Sequence, residues 1–308
     1  MIKKYFSESA LLLITIIWGA TFVIIKDALN NISPMLFIAV RFTIASVLLL
    51  PFFLRSTLAS SKETIKDGLI LGVIYFLGFA AQTIGLQYTT ATKSAFITGT
   101  FVLFTPIFQL LFERKIPGRG NLIGIFLVII GLIFLSSKGS SALDVFTEIG
   151  KGFNVGDFFT LICAVFFAMY LVYLDISSKK HDYKPLVLLQ ISVTAVLGIF
   201  SSLFVSATGL ESFKLIINSS LVFAIIYTSI LATIIASSVQ TKFQKAVTPT
   251  QAGIILSFEP IFSAVFAYFI LSEKISNFSA LGCFLIFSGL IISEILDKQK
   301  DHLNAKTS

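Results

Sequence analysis

Charge is what this chain has least of. Only 13% of its 308 residues are Asp, Glu, Lys or Arg, about half the share usual in soluble domains. Cysteine is almost missing: Cys163 and Cys283 sit singly in apolar runs, which excludes a disulfide framework and suits small buried filler. Histidine is scarcer than a metal site would need. His181 and His302 stand alone, and no His/Cys cluster has ligand spacing, so no metal is expected. No phosphate loop and no nucleophile elbow occurs. ATP hydrolysis and nucleophilic catalysis are therefore not expected, nor is a cofactor, and any uphill work must draw on a gradient. No soluble domain is expected between the apolar runs, since the longest polar insert runs only from Ser136 to Gly156.

What fills the chain instead is apolar. Hydrophobic residues make up 56% of it, 33 of them Phe, and the mean hydropathy is +0.94. The charges gather in short clusters between apolar runs. Crossing a bilayer core takes about 20 helical residues, and ten stretches qualify: about 8–26, 34–54, 67–88, 94–112, 120–137, 155–175, 184–207, 218–240, 249–271 and 278–296. The fold class is an all-α polytopic membrane protein. Lys3-Lys4 before Ala10 to Ile17 has the look of a signal sequence, but no small-residue cleavage site follows, so this reads as an uncleaved first helix. The net charge of +7 does not indicate nucleic acid, because no basic run carries interleaved aromatics.

The chain says the same thing twice. Ser94-Ala95-Phe96-Ile97, Pro106-Ile107-Phe108, Gly124-Ile125-Phe126-Leu127 and Gly131-Leu132 are answered by Thr250-Gln251-Ala252-Gly253, Pro260-Ile261-Phe262, Gly282-Cys283-Phe284-Leu285 and Gly289-Leu290. The reading is a first repeat at 1–138, a linker at 139–154, a second repeat at 155–297 and a cytoplasmic tail at 298–308. Five spans per repeat is an odd number, so the two must be inverted, as in transporters with a pathway between their halves. Pro106 to Gly124 is 18 residues and Pro260 to Gly282 is 22; the difference is expected near the turns after spans 4 and 9. The glycine pairs, seven apart, read as close helix packing. Pro34, Pro185 and Pro249 open spans, whereas Pro106 and Pro260 predict bends within them.

With the N-terminus inside, 16 Lys and Arg fall on inside segments and 6 on outside ones. That asymmetry supports ten spans with both termini cytoplasmic.

Candidate site residues follow from polar groups within spans. Arg41 lies about eight residues into span 2, either as a substrate or gating contact or as a residue that snorkels to the outer headgroups or ties the span to backbone carbonyls. Glu259 lies near the middle of span 9 before Pro260, whose missing N–H frees the Leu256 carbonyl. It can couple or gate, or it can be structural. Thr15, Trp18, Thr21, Tyr75, Gln82, Thr98, Tyr170, Tyr173, Tyr227, Ser237 and Ser257 could together line a polar, nearly uncharged cavity. Singly, each also fits ordinary interhelical hydrogen bonding.

Trp18-Gly19-Ala20-Thr21-Phe22, Arg41-Phe42, Glu259-Pro260-Ile261-Phe262, Ser272-Glu273-Lys274, Gly282 and Gly289 resemble the EamA family of the drug/metabolite transporter superfamily. The resemblance spans residues 8–296. It implies ten transmembrane helices as two inverted five-helix repeats, and export of amino acids or other small metabolites. It also implies a central cavity lined mainly by spans 1, 3, 4, 6, 8 and 9. Thr105 stands where the second repeat has Glu259, so a symmetric acid pair is not expected. The implied partners are a small-molecule substrate and the lipid bilayer of the cell's inner membrane, with proton coupling as an option and no nucleic acid. The competing readings are an uncoupled facilitator, a membrane-embedded enzyme, for which no clustered reactive groups are seen, and a non-transporting sensor or scaffold.

Overall fold

The computed structural model describes residues 2–114, 119–136, 153–246, 255–256, 258–278, 280–289, 291–292 and 296. Ser257, the start of span 9, most of the 139–154 linker, His302 and the 298–308 tail lie outside them. Helix accounts for 87% of the structure, with no strand among the described residues. The backbone has to pair with itself in lipid, and a helix does so within one segment.

The helices are α1 (Ile2–Ala28), α2 (Pro34–Leu58), α3 (Lys62–Tyr88), α4 (Ala91–Gly99), α5 (Phe101–Glu113), α6 (Arg119–Ser136), α7 (Val155–Lys180), α8 (Tyr183–Ala207) and α9 (Ser219–Ile226). A π-helical stretch, Tyr227–Ile235, joins α9 to α10 (Ala236–Phe243), and α11 (Glu259–Leu271) follows. The last described helix, α12, is Ala280–Gly289. Seven continuous helical segments are long and apolar enough to cross a membrane, with Ala91–Glu113 and Ser219–Phe243 each counted as one. Leu122–Leu135, Glu259–Leu271 and Ala280–Gly289 are shorter apolar helices. Large apolar side chains such as Leu13, Phe52, Phe126, Phe200 and Phe269 cover the outside, which suits a hydrocarbon solvent.

Local chemistry sets the helix starts. Pro34 opens α2, where its missing N–H goes unused. The Ser61 hydroxyl accepts from the Thr64 N–H to start α3, and Asn154 and Asp157 form a reciprocal capping box at α7. α3 begins five residues before the expected span 3, on the polar turn Lys62–Lys66. His181 is the C-cap of α7, and its Nε2 lies 3.1 Å from Asp67 Oδ2.

Spans 4 and 9 both break, as their prolines lead one to expect, but not at matching points. The second copy breaks at Phe258, just before Glu259-Pro260. The first breaks at Thr100, between α4 and α5, and carries Pro106 inside α5. α5 ends on Arg114 (φ 58°) and α11 on Ser272 (φ 52°), both left-handed. Each cap stands ten residues before the first glycine of its stripe, Gly124 or Gly282. The four-residue difference between the copies therefore lies in the helix after Pro260, about one extra turn, not in the turns as the sequence reading had it.

Packing is concentrated on α3. Gly68 and Gly72 let α8 approach, and Gly78 and Gly85 do the same for α7. α2 packs along α8 with Ser46 Oγ 2.7 Å from Ser192 Oγ. α1 packs on α11, where a methyl at Gly19 would meet Phe262 and the Glu259 carbonyl. α6 and α12 cross through their glycines: Gly131 meets Gly282 and Gly289 meets Gly124. The numbers run in opposite directions, so the two helices are antiparallel.

Polar contacts sort the helix ends into two groups. At one end, Lys26 Nζ donates to the Leu86 carbonyl at 2.7 Å, and Lys93 pairs with Asp157 at 2.6 Å. There the Glu273 carboxylate also accepts from the Ala91 N–H, the Thr92 N–H and the Thr92 hydroxyl, capping α4. At the other end, Asp67 accepts from Tyr173 at 2.8 Å beside His181, and Thr64 Oγ1 lies 3.0 Å from His181 Nδ1.

Candidate functional site

α3 supplies the first wall of a central cavity. Tyr75, Phe79 and Gln82 fall at four- and three-residue steps, so they share one face of the helix. α7 faces it with Phe167, Tyr170 and Leu171 on the same spacing. Trp18 and Thr21 enter from α1, Thr98 from α4 and Phe101 from α5. Gln240 on α10, Leu256 and Glu259 close the remaining side. The cavity holds about 570 Å³ of space between atoms, open solvent at its rim included. Its lining comes from spans 1, 3, 4, 6, 8 and 9, the set the family resemblance implied.

The aromatic wall is a connected stack. Tyr75 lies 4.6 Å from Phe79 and 4.8 Å from Tyr170 between ring centroids, and Phe79 lies 5.2 Å from Phe167. Its polar handles are satisfied by protein. Tyr75 Oη is 2.7 Å from Ser237 Oγ, and Tyr170 donates to Gln190 Oε1 at 3.0 Å. Trp18 Nε1 donates to the Ala232 carbonyl at 3.0 Å, and Thr21 donates to the Trp18 carbonyl at 2.6 Å. The rings are thereby held in place with their apolar surface towards the cavity.

Four polar side chains differ. Gln82, Gln240 and Glu259 line the cavity with no hydrogen bond or ion pair to another described residue, and the Thr98 hydroxyl there has no hydrogen-bond partner among them either. Glu259 stands on the first turn of α11, directly after the break at Phe258, and shares the cavity lining with residues of α1 and α7. Its counterpart in the first copy, Thr105, is buried and donates to the Phe101 carbonyl at 2.9 Å, so the acid is single among the lining residues.

Of the residues singled out in the sequence, Trp18, Thr21, Tyr75, Gln82, Thr98, Tyr170 and Glu259 line this cavity. The others, Ser257 apart, sit behind or beyond it. Ser237 holds Tyr75 from outside the lining. Thr15 is buried and donates to the Leu11 carbonyl within α1. Tyr227 donates to the Ile17 carbonyl, tying the π-helical stretch to α1. Tyr173 belongs to the Asp67 cluster at the helix ends. Arg41 is 1% exposed, so it does not snorkel. Its Nε donates to Thr233 at 2.8 Å, and its guanidinium lies 4.7 Å from the Phe79 ring centre and 5.0 Å from that of Phe42. Thr233 in turn donates to the Thr228 carbonyl five residues back, consistent with the π-helical turn there.

Sequence reasoning missed Phe79, Phe101, Phe167, Leu171, Gln240 and Leu256. Phe79 and Phe167 could have been found from the helical faces of Tyr75–Gln82 and Tyr170. The remaining aromatic, Phe101, was hidden among 33 Phe.

Comparison with known proteins agrees with this architecture. The model of the EamA-like transporter family matches residues 6–137 and 154–294. An uncharacterized transporter of Archaeoglobus fulgidus is 31% identical over 291 residues, covering 94% of this chain and 86% of that one. A probable amino-acid metabolite efflux pump of Escherichia coli K12 is 23% identical over 292 residues, 92% of each chain. A solved crystal structure at 16% identity superposes with a TM-score of 0.65 over 94% of this chain and 98% of its own, showing a shared fold. The chain belongs to the EamA-like transporter family: it is a multi-pass membrane transporter of a small molecule and not an enzyme.

Proposed function

We propose that this protein is a secondary transporter exporting amino acids or other small metabolites by alternating access through the central cavity. The observation that carries the reading is the cavity's position: α1, α3, α4 and α5 line one part, and α7, α10, Leu256 and α11 the other. A pathway built from both halves of the chain suits one half rocking against the other. The name of the Escherichia coli relative supports efflux of amino-acid metabolites as the direction and class.

Ten spans as two inverted repeats fit this reading. Seven membrane-length helices and three shorter apolar ones supply ten segments, and the family model matches in two stretches. Exchanging the repeats turns the Gly124–Gly289 contact into Gly282–Gly131, and both contacts are present. Antiparallel α6 and α12 are what inversion requires. The excess of Lys and Arg on one side orients both termini to the cytoplasm of a cell whose inner membrane holds the protein.

Glu259 is assigned the coupling role, exchanging a proton for substrate as access alternates, and Arg41 the role of bracing the Phe79 wall. The test is flux in proteoliposomes against a metabolite panel, with and without a proton gradient. Wild type should accumulate substrate against its gradient, and Glu259→Gln should retain only downhill flux. Gradient-independent flux in wild type would make the protein an uncoupled facilitator, and no flux for the whole panel would end the transport reading.

A further inference from the structure

The chemistry of the lining narrows the solute. We infer that the cavity takes an organic ammonium ion with an apolar or aromatic body, its positive charge set against the Glu259 carboxylate. The inference deepens the transport reading and rests on it for the cavity's role.

Three observations converge. First, Trp18 and Tyr170 donate to Ala232 and Gln190, and the Tyr75 hydroxyl is engaged with that of Ser237, so these three residues turn chiefly ring surface to a ligand. Ring faces attract cations, by about 0.5–2 kcal/mol for each well-placed contact. Second, the Glu259 carboxylate has no hydrogen-bond or ion-pair partner among the described residues, and the sequence holds no Lys, Arg or His between Lys245 and Lys274 that could reach it locally. A carboxyl group taken out of water needs either a proton or a counter-charge, and a bound ammonium supplies the second in exchange for the first. The carboxamide oxygens of Gln82 and Gln240 are free to accept its remaining N–H groups.

Third, the cavity offers an anion only neutral donors. Among the described residues no basic side chain lines it. Arg41, the only basic residue among the fully buried ones described, lies outside the lining, donates its Nε to Thr233 and is packed on Phe42 and Phe79, with one guanidinium nitrogen left without a hydrogen-bond partner behind that wall. A zwitterionic amino acid would place its carboxylate in the same confined space as Glu259, with only two carboxamides and the Thr98 hydroxyl to receive it. An amine without that carboxylate avoids the repulsion.

The experiment uses the chain's own reporter, since its single Trp is Trp18 in the cavity wall. The purified full chain in detergent is titrated with four probes of one shape: 2-phenylethylamine, phenylalanine, 3-phenylpropionate and 2-phenylethanol. Trp emission is followed under excitation that spares Tyr. The amine should give a saturable change at least about tenfold tighter than the other three, a difference of about 1.4 kcal/mol. Glu259→Gln should weaken the amine about tenfold or more, and Glu259→Asp should largely keep it, with monodisperse elution checked for both. Equal or tighter binding of phenylalanine or of the alcohol overturns the inference. So does an unchanged amine affinity in a folded Glu259→Gln protein, or no response to the amine at all. The four-probe comparison on wild type decides the matter even if a variant does not fold. Proteoliposome flux separates the two readings. Phenylalanine flux without amine binding overturns the amine class and leaves transport standing, whereas amine binding with no flux of any solute overturns transport alone.

Discussion

Gly131 and Gly282 face each other where α6 crosses α12. A methyl on Gly131 would lie 2.9 Å from the Gly282 carbonyl oxygen, and one on Gly282 would lie 2.6 Å from the Gly131 carbonyl oxygen. Neither backbone can retreat without disturbing its own helix. Gly131→Val and Gly282→Leu are therefore expected to lower stability by about 1–3 kcal/mol each through overpacking. Thermal melting in detergent checks this, with Ile129→Leu, on the exposed face of α6, as the neutral comparison. A Gly282→Leu protein that melts with wild type would show that the crossing is looser than described.

Lys93 and Asp157 form a pair at 2.6 Å, with the Asp157 side chain fully buried. Asp157 also accepts from the Thr89 hydroxyl and the Asn154 N–H, so it ties the α3–α4 link to the start of α7. Breaking a buried pair from one side strands the other charge, at about 3–5 kcal/mol. Lys93→Met should be strongly destabilising in melting experiments. Adding Asp157→Asn should recover part of the loss, because the stranded charge goes too. A double variant as unstable as the sum of the singles would rule out the pairing.

Glu211, in the loop after α8, accepts from the Met35 N–H at 3.3 Å at the start of α2. Burial pushes its carboxyl pKa above the usual range, partly offset by hydrogen bonds from Met35 and Ser33. With the folded value raised, the folded state holds the proton more tightly than the unfolded chain. Stability from this group is present below the ordinary carboxyl pKa of about 4.3 and is lost as pH rises through the folded value. Glu211→Gln keeps an acceptor for Met35 without the charge. Its melting temperature relative to wild type should rise as pH increases above 4.3; a relative fall would reverse the sign of the effect.

The two groups of helix ends give a topology experiment. In a background with Cys163 and Cys283 replaced by Ala, single cysteines are introduced at exposed sites by Leu210→Cys and Lys180→Cys. An impermeant thiol reagent added to intact cells should label the first and spare the second. The reverse pattern would invert the orientation, and labelling of both would contradict an odd number of crossings between them.

How much of this could be read beforehand depended on the range of the interaction. Whether a segment prefers lipid is a sum over about 20 neighbouring residues, so the apolar helices were visible as runs. Stripes such as Gly124–Gly131 were visible for the same reason, because helical spacing is local. The extra turn after Pro260 was misplaced into a loop, since nothing local distinguishes a longer helix from a longer turn there. Arg41 was open between two roles until Thr233, 192 residues away, was seen beside it.

The amino-acid order by itself determined that the chain is helical, crosses a bilayer many times and repeats its pattern. Hydropathy, helix spacing and the placing of Lys and Arg act along the chain and need no partner. Tertiary structure alone decided which polar groups remain unpaired. Tyr75, Tyr170 and Trp18 proved to be satisfied by Ser237, Gln190 and Ala232, and Glu259, Gln82 and Gln240 did not. A side chain's availability depends on what the fold brings to it from distant sequence, and each of these bonds joins helices far apart in the chain or separated by a turn.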